Sequence, residues 1–134
     1  MYIVMLSLLV AACAGPESGK EEQKEPEVKK VEEYYENGML SKRGTTIDGK
    51  RSGLWESYYP NGLKWSETTF KYGYKEGPTT TFYPNGIMRY SGRYYSDERS
   101  GVWTFYDTTG VVAARIDMDV QPEKADSIIQ HSPL

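Results

Sequence analysis

At 134 residues, with 19 acidic against 16 basic side chains and a formal net charge of −3, the chain has room for one domain. It lacks the strong basic excess that marks a nucleic-acid-binding surface. The charge is unevenly placed. Residues 14–33 carry seven Glu and four Lys, residues 34–116 carry 11 basic and 8 acidic side chains, and residues 117–134 carry four acids against Lys124. Seventeen of the 18 aromatic residues fall within 34–116, so an aromatic, nearly balanced body lies between acidic, solvated ends.

Residues 1–12 are apolar apart from Tyr2 and Ser7 and run into Val10-Ala11-Ala12-Cys13, which holds the only cysteine. Twelve residues are too few to span about 30 Å of hydrocarbon as a helix, and a short apolar run ending in small residues reads as a cleaved signal peptide. An aliphatic residue, two small residues and a Cys resemble the lipobox of bacterial lipoproteins. The resemblance implies that Cys13 becomes the first mature residue and carries lipid on its sulfur. No Lys or Arg precedes the apolar run, so the expected start codon lies further upstream.

Residues 13–30 form an acidic linker in which Val28 is the only large aliphatic residue, too little to drive ordering. As a flexible coil its 17 residues after Cys13 reach about 20–25 Å. Ala14, where an Asp would mark retention, resembles lipoproteins that leave the inner membrane and implies an outer-membrane position. Lys20-Glu21-Glu22 resembles a surface-export signal, though it sits late for one and reads first as charged linker.

Residues 31–118 carry a four-fold repeat with a 24-residue step. Tyr34-Tyr35-Glu36-Asn37-Gly38, Tyr58-Tyr59-Pro60-Asn61-Gly62, Phe82-Tyr83-Pro84-Asn85-Gly86 and a degenerate Tyr106-Asp107-Thr108-Thr109-Gly110 place glycines at 38, 62, 86 and 110. Gly53, Gly77 and Gly101 keep the same step, each followed two residues later by Trp55, Thr79 or Trp103. A fixed period of this length signifies a stacked repeat array. Asn61-Gly62 and Asn85-Gly86 predict two-residue type I′ hairpin turns, and the flanking segments are rich in Tyr, Trp, Phe and Thr, as strands prefer. The return segments 48–53, 72–77 and 96–101 read as longer loops. The expectation is all-β: an extended antiparallel meander of about eight short strands, followed by a polar acidic tail over 119–134.

A two-residue turn at Asn61-Gly62 sets the register and sorts side chains by face. Tyr59 then opposes Lys64, Ser57 opposes Ser66, and Trp55 opposes Thr68. Val31 opposes Gly44, Thr79 opposes Gly92 and Trp103 opposes Ile116, with the glycines leaving gaps for a neighbouring ring. This face, which also collects Phe70, Tyr83, Tyr90, Tyr94 and Phe105, is expected to be the better buried. The second face is expected to be wet, presenting Tyr34, Tyr58, Trp65 and Phe82 among Arg43, Arg89 and Arg93. Those seven are the candidate binding residues, because Tyr, Trp and Arg dominate interface hot spots.

The run Gly53-Leu54-Trp55-Glu56-Ser57-Tyr58-Tyr59-Pro60-Asn61-Gly62 resembles the MORN repeat variant, a family that includes proteins labelled YwqK-type antitoxins. The resemblance covers residues 31–118 and implies a single extended sheet of hairpins. Thr79 stands where Trp is expected, Thr109 where Asn is, and Asp107 where Tyr is.

Little in the sequence suggests catalysis. His131 is the only histidine and lies in the polar tail, and an acylated Cys13 leaves no thiol for nucleophilic or metal chemistry. Glu56 and Glu67 are expected to lie opposite one another about 5 Å apart, a spacing that retaining glycosidases use, and mutual repulsion would raise one pKa. The pair recurs in no other repeat: its counterparts are Glu32/Arg43, Thr80/Ser91 and Thr104/Arg115. The expected function is a non-enzymatic, cofactor-free binding or scaffold module. It would be held at the bacterial envelope membrane by its lipid and engage a protein or glycan there rather than nucleic acid. Toxin neutralisation is the alternative that the resemblance implies.

Overall fold

The computed structural model describes residues 24–120. Cys13, the apolar segment 1–12, residues up to 23 and the tail from 121, with His131, lie outside the described residues. Eight strands follow one another: β1 (Val28–Tyr34), β2 (Leu40–Ile47), β3 (Lys50–Tyr58), β4 (Lys64–Lys71), β5 (Tyr74–Phe82), β6 (Met88–Tyr95), β7 (Glu98–Tyr106) and β8 (Val112–Asp117). They form one antiparallel sheet in chain order, the expected meander. β1 begins three residues before the expected boundary at 31, because Val28, Lys29 and Lys30 pair with Ile47, Thr46 and Thr45.

The register away from the turns is the expected one. Val31 opposes Gly44, Trp55 opposes Thr68, Thr79 opposes Gly92 and Trp103 opposes Ile116. The turns themselves are exchanged. At Tyr59–Leu63 the Gly62 N–H donates to the Tyr59 carbonyl (2.8 Å) and the Tyr59 N–H donates to the Leu63 carbonyl (2.8 Å). Only Gly62 (φ 83°) has positive φ there. This is a type I turn closed by a glycine bulge, not a type I′ turn; Pro60, with its fixed φ, occupies the first central position. The type I′ turns lie on the return side instead: Asp48-Gly49 (φ 50° and 76°), Tyr72-Gly73 (49° and 95°) and Ser96-Asp97 (47° and 69°). Those connections are therefore two residues long, shorter than expected.

The three-residue turns have a cost in register. One residue of each outgoing strand drops out of the ladder: Ser41, Trp65, Arg89 and Ala113, again 24 apart. Beyond such a bulge the side chains change face. Tyr58, not Tyr59, consequently opposes Lys64.

Consecutive repeats are fastened by a tyrosine ladder. Tyr35 Oη donates to the Tyr58 carbonyl (2.7 Å), Tyr59 Oη to the Phe82 carbonyl (2.9 Å) and Tyr83 Oη to the Tyr106 carbonyl (2.9 Å). Asn37 and Asn85 add side-chain bonds to the Pro60 and Thr108 carbonyls, 3.0 and 3.1 Å long. The fourth hairpin has Asp107 at the ladder position. Its Oδ1 accepts from the Thr109 N–H, the Thr109 hydroxyl and the Val111 N–H, so Asp107 closes its own turn rather than reaching forward. These bonds hold its carboxyl below the usual aspartate range, the Thr109 hydroxyl foremost.

Burial is confined to one face. The buried apolar side chains are Trp55, Phe70 and Trp103, the last fully enclosed, with Thr79 and Thr81 also buried. Domains ordinarily bury a sheet face under a second layer; among the described residues there is none, and the covering is done by the sheet's own rings. The indoles of Trp55 and Trp103 lie across Gly44 and Gly92 of the preceding strand, where an added Cβ would come within 2.3 Å of each ring. Overpacking of this kind costs about 1–3 kcal/mol and occasionally more. Gly92→Ala is expected to destabilise the protein by about 3 kcal/mol in urea unfolding. Gly44→Ala should cost less, because Trp55 retains 8% exposure against none for Trp103 and has room to yield.

Candidate functional site

The ringed face is built from two similar clusters. In the first, Trp55 meets the Phe70 edge (centroids 6.4 Å apart) and Arg51 caps both rings at 4.8 and 5.3 Å. In the second, Trp103 meets Tyr94 edge-on at 5.1 Å and Tyr90 at 5.7 Å, under Arg99 at 4.5 Å. Such cation–π contacts favour keeping a guanidinium over a ring. Trp55 Nε1 donates to the Thr45 carbonyl (3.0 Å), whereas Trp103 Nε1 is buried without a partner among the described residues.

Between the clusters the pattern changes at two positions together. Thr79 replaces the tryptophan, and Thr68 replaces the glycine over which that tryptophan would lie. The two hydroxyls meet at 2.8 Å, and Thr79 Oγ1 also bonds the Glu67 carbonyl (3.0 Å). Two small residues where the neighbouring repeats carry an indole leave a shallow trough of about 280 Å³. Its floor is hydroxylic: Ser57, Ser66, Thr68, Thr79 and Thr81. Its walls include Trp55 and Phe70 on one side and Tyr90 and Tyr94 on the other. Lys42, Arg51 and Lys75 belong to the lining as well, which contains no carboxylate.

Trp65 also lines this trough, on the face of Trp55 rather than on the wet face where a bulge-free register places it. It stands 6.2 Å from the Tyr59 ring and is 46% exposed. Arg89, its counterpart one repeat later, leaves the wet face in the same way and lies 5.6 Å from the Tyr83 ring. The seven expected binding residues therefore do not form one surface. Tyr34, Tyr58, Phe82, Arg43 and Arg93 keep the second face, and Trp65 and Arg89 join the first. Alternation alone could not reveal this, but Pro at the first central turn position was an available signal. The exposed Tyr72, Tyr74 and Tyr95, which share a shallow depression with Lys71 and Glu76 at the return-turn edge, carried no sequence signal beyond their hydrophobicity.

The second face holds the carboxylate pair. Glu56 and Glu67 are opposed as expected, but the bulge brings Lys64 to this face, where it bonds Glu67 and reaches Glu56 at 2.6 Å. Arg43 Nε adds a contact to Glu56 at 2.5 Å and lies over the Tyr58 ring at 5.8 Å. The expected rise in pKa is thus reversed at Glu56. Hydrogen bonds from Arg43 and then Lys64 draw its carboxyl from an ordinary 4.5 down to about 2. Both cations are correspondingly raised, chiefly by their bonds to Glu56. Burial is the main cause of the upward shift at Tyr58. No cluster of three or more His, Cys, Asp or Glu that could hold a metal ion occurs among the described residues.

The MORN repeat variant family matches at residues 27–48, 51–72 and 75–97, half of the chain, and the chain belongs to that family. Each match covers one hairpin: β1–β2, β3–β4 and β5–β6. The fourth hairpin, β7–β8, lies outside the matches yet extends the same sheet. No curated protein and no solved structure matches the chain.

The charge network on the second face is testable by pH. The folded pKa of Glu56 lies below its unfolded value, so its contribution is fully present above about pH 4.5 and is lost as the pH falls towards 2. After allowance for screening, Glu56→Gln should cost about 1 kcal/mol at pH 7. In urea titrations that difference from wild type should close across this window.

Proposed function

We propose that this protein is a non-enzymatic binding module that holds its repeat sheet out from a bacterial envelope membrane to capture a protein or glycan. A repeat-based binding or scaffold role is what MORN repeats suggest. The observation that carries the proposal is the trough: the middle repeat carries Thr68 and Thr79 where its neighbours have a packed glycine–indole pair, and the opening is lined by hydroxyls, rings and cations. Ligand sites combine apolar walls with a few placed polar groups in this manner. The non-enzymatic part of the reading is supported at Glu56. A carboxyl near 2 and bonded to two cations is a poor proton donor at neutral pH.

Membrane attachment rests on Val10-Ala11-Ala12-Cys13, with lipid on Cys13 and the linker as spacer; the resemblance at Ala14 supports an outer-membrane position, and the one at Lys20-Glu21-Glu22 supports exposure at the surface. Stable anchoring takes more than one acyl chain. A toxin-neutralising role of the YwqK type has only the family resemblance behind it, and no feature of the sheet favours it.

Fatty-acid labelling is expected to mark the wild-type protein, and Cys13→Ser should abolish the label and release the chain from membranes. A wild-type chain that remains soluble and unlabelled would remove the anchor from this reading. Immobilised protein should retain an envelope component that Trp65→Ala combined with Lys75→Ala loses, with circular dichroism unchanged.

A further inference from the structure

We infer that the trough over Thr68 and Thr79 binds an acidic saccharide: a glycan whose sugar rings carry carboxylate groups. The inference rests on the binding-module reading and names its ligand class. Three features of the trough point the same way.

The first is charge. Every ionisable side chain lining the trough apart from the tyrosines is a cation, and the three are not equivalent. Lys42 is paired with Glu33 at 2.8 Å. Arg51 and Lys75 make no ion pair among the described residues; Arg51 is held over Trp55 and Phe70, and Lys75 over Tyr94 at 4.7 Å. Two cations fixed by rings rather than neutralised by carboxylates are ready to receive an anion, at the end of the trough nearest the return turns.

The second is the distribution of apolar surface. Trp55 cannot offer a free ring face, since one side covers Gly44 and Arg51 lies over the ring. Trp65 can. Raised on its bulge at the opposite end and half exposed, it presents an indole against which the C–H face of a sugar ring can stack. A stack of nucleobases needs several open ring faces in succession, and of the two indoles in the trough Trp65 alone leaves one open.

The third is the floor. Thr68 and Thr79 bond each other, while the hydroxyls of Ser57, Ser66 and Thr81 make no hydrogen bond among the described residues. Each is both donor and acceptor, which matches the hydroxyls of a sugar. From Ser66 to Phe70 the trough runs four residue steps along β4, about 13 Å, room for two or three rings. One ring then lies on Trp65, the next over the serines and threonines, and its carboxylate reaches Lys75 and Arg51.

The decisive variant restores the packing of the other repeats. Thr68→Gly with Thr79→Trp recreates the glycine–indole pair, fills the trough and should leave the protein folded. Titration calorimetry on the full chain in detergent, with a hyaluronan octasaccharide as probe and a neutral chitooligosaccharide of similar length as control, provides the measurement. Wild type is expected to bind the acidic probe at least tenfold more tightly than the neutral one. The double variant should lose that binding at least tenfold with its unfolding midpoint maintained, and Lys75→Gln should erase the preference for the acidic probe. Equal binding by the folded double variant would overturn the assignment, as would a preference for a single-stranded oligonucleotide. Capture of an envelope protein with no response to either saccharide would overturn it while leaving the binding module standing; no capture of any kind would remove both. Should the double variant fail to fold, Ser66→Trp obstructs the same floor from β4, and undiminished binding there would equally overturn the proposal.

Discussion

An indole lying flat on a glycine is the contact on which the sheet depends. Among the described residues the sheet is a single layer, and no other element packs against either face. Trp55 and Trp103 supply the missing layer by folding across Gly44 and Gly92 of the adjacent strand. Glycine is otherwise a poor strand residue; here any side chain would occupy the volume of the ring. Gly53 and Gly101, at φ 73° and 62°, allow the irregular stretch of β3 and β7 that aims each indole back over its neighbour. Arg51 and Arg99 then close the outer side of the rings.

The middle repeat shows that this contact is exchanged as a unit. Had only the tryptophan been lost, the glycine beneath it would face a void; had only the glycine been filled, a threonine would collide with an indole. Thr68 and Thr79 change together and pair with each other, whereas Gly44 and Gly92, though paired with the strand before, drop out of the ladder with the strand that follows. The packing lost there is replaced by one hydroxyl pair and a bond to the Glu67 carbonyl. Burial continues on both sides, so a central opening is sustained by the repeats that flank it.

Much of the fold was legible because the period never slips. Eight strands, their order and the pairs from Val31–Gly44 to Trp103–Ile116 all follow from a constant 24-residue step and side-chain alternation. The gaps at Gly44 and Gly92 were legible too, as places for a ring. The turns were not, since Asn-Gly serves both a two-residue turn and a three-residue turn with a bulge, and the two differ by one residue of register. That single residue carried Trp65 and Arg89 to the opposite face and placed Lys64 between Glu56 and Glu67. Tyr72 in a left-handed conformation is also opaque to propensity, because the strain of an aromatic residue at φ 49° is accepted only when the flanking strands fix the turn. The trough was half visible: Thr79 stood out as a departure, but Thr68 gains meaning only once the ring–glycine contact is seen.

The tyrosine ladder gives the array a direction. Each hydroxyl reaches from one hairpin to the backbone of the next and none reaches back, so the two ends are chemically unlike. Shortening the sheet from its N-terminal side removes a donor together with its bond and leaves only a carbonyl facing water. Shortening it from the other side strands the phenol of Tyr83, whose acceptor belongs to the final hairpin. That last hairpin leaves no donor stranded, because Asp107 turns inward on its own loop. The side chain that departs from the repeat is thus the one at which, among the described residues, the forward-reaching series of ladder bonds ends.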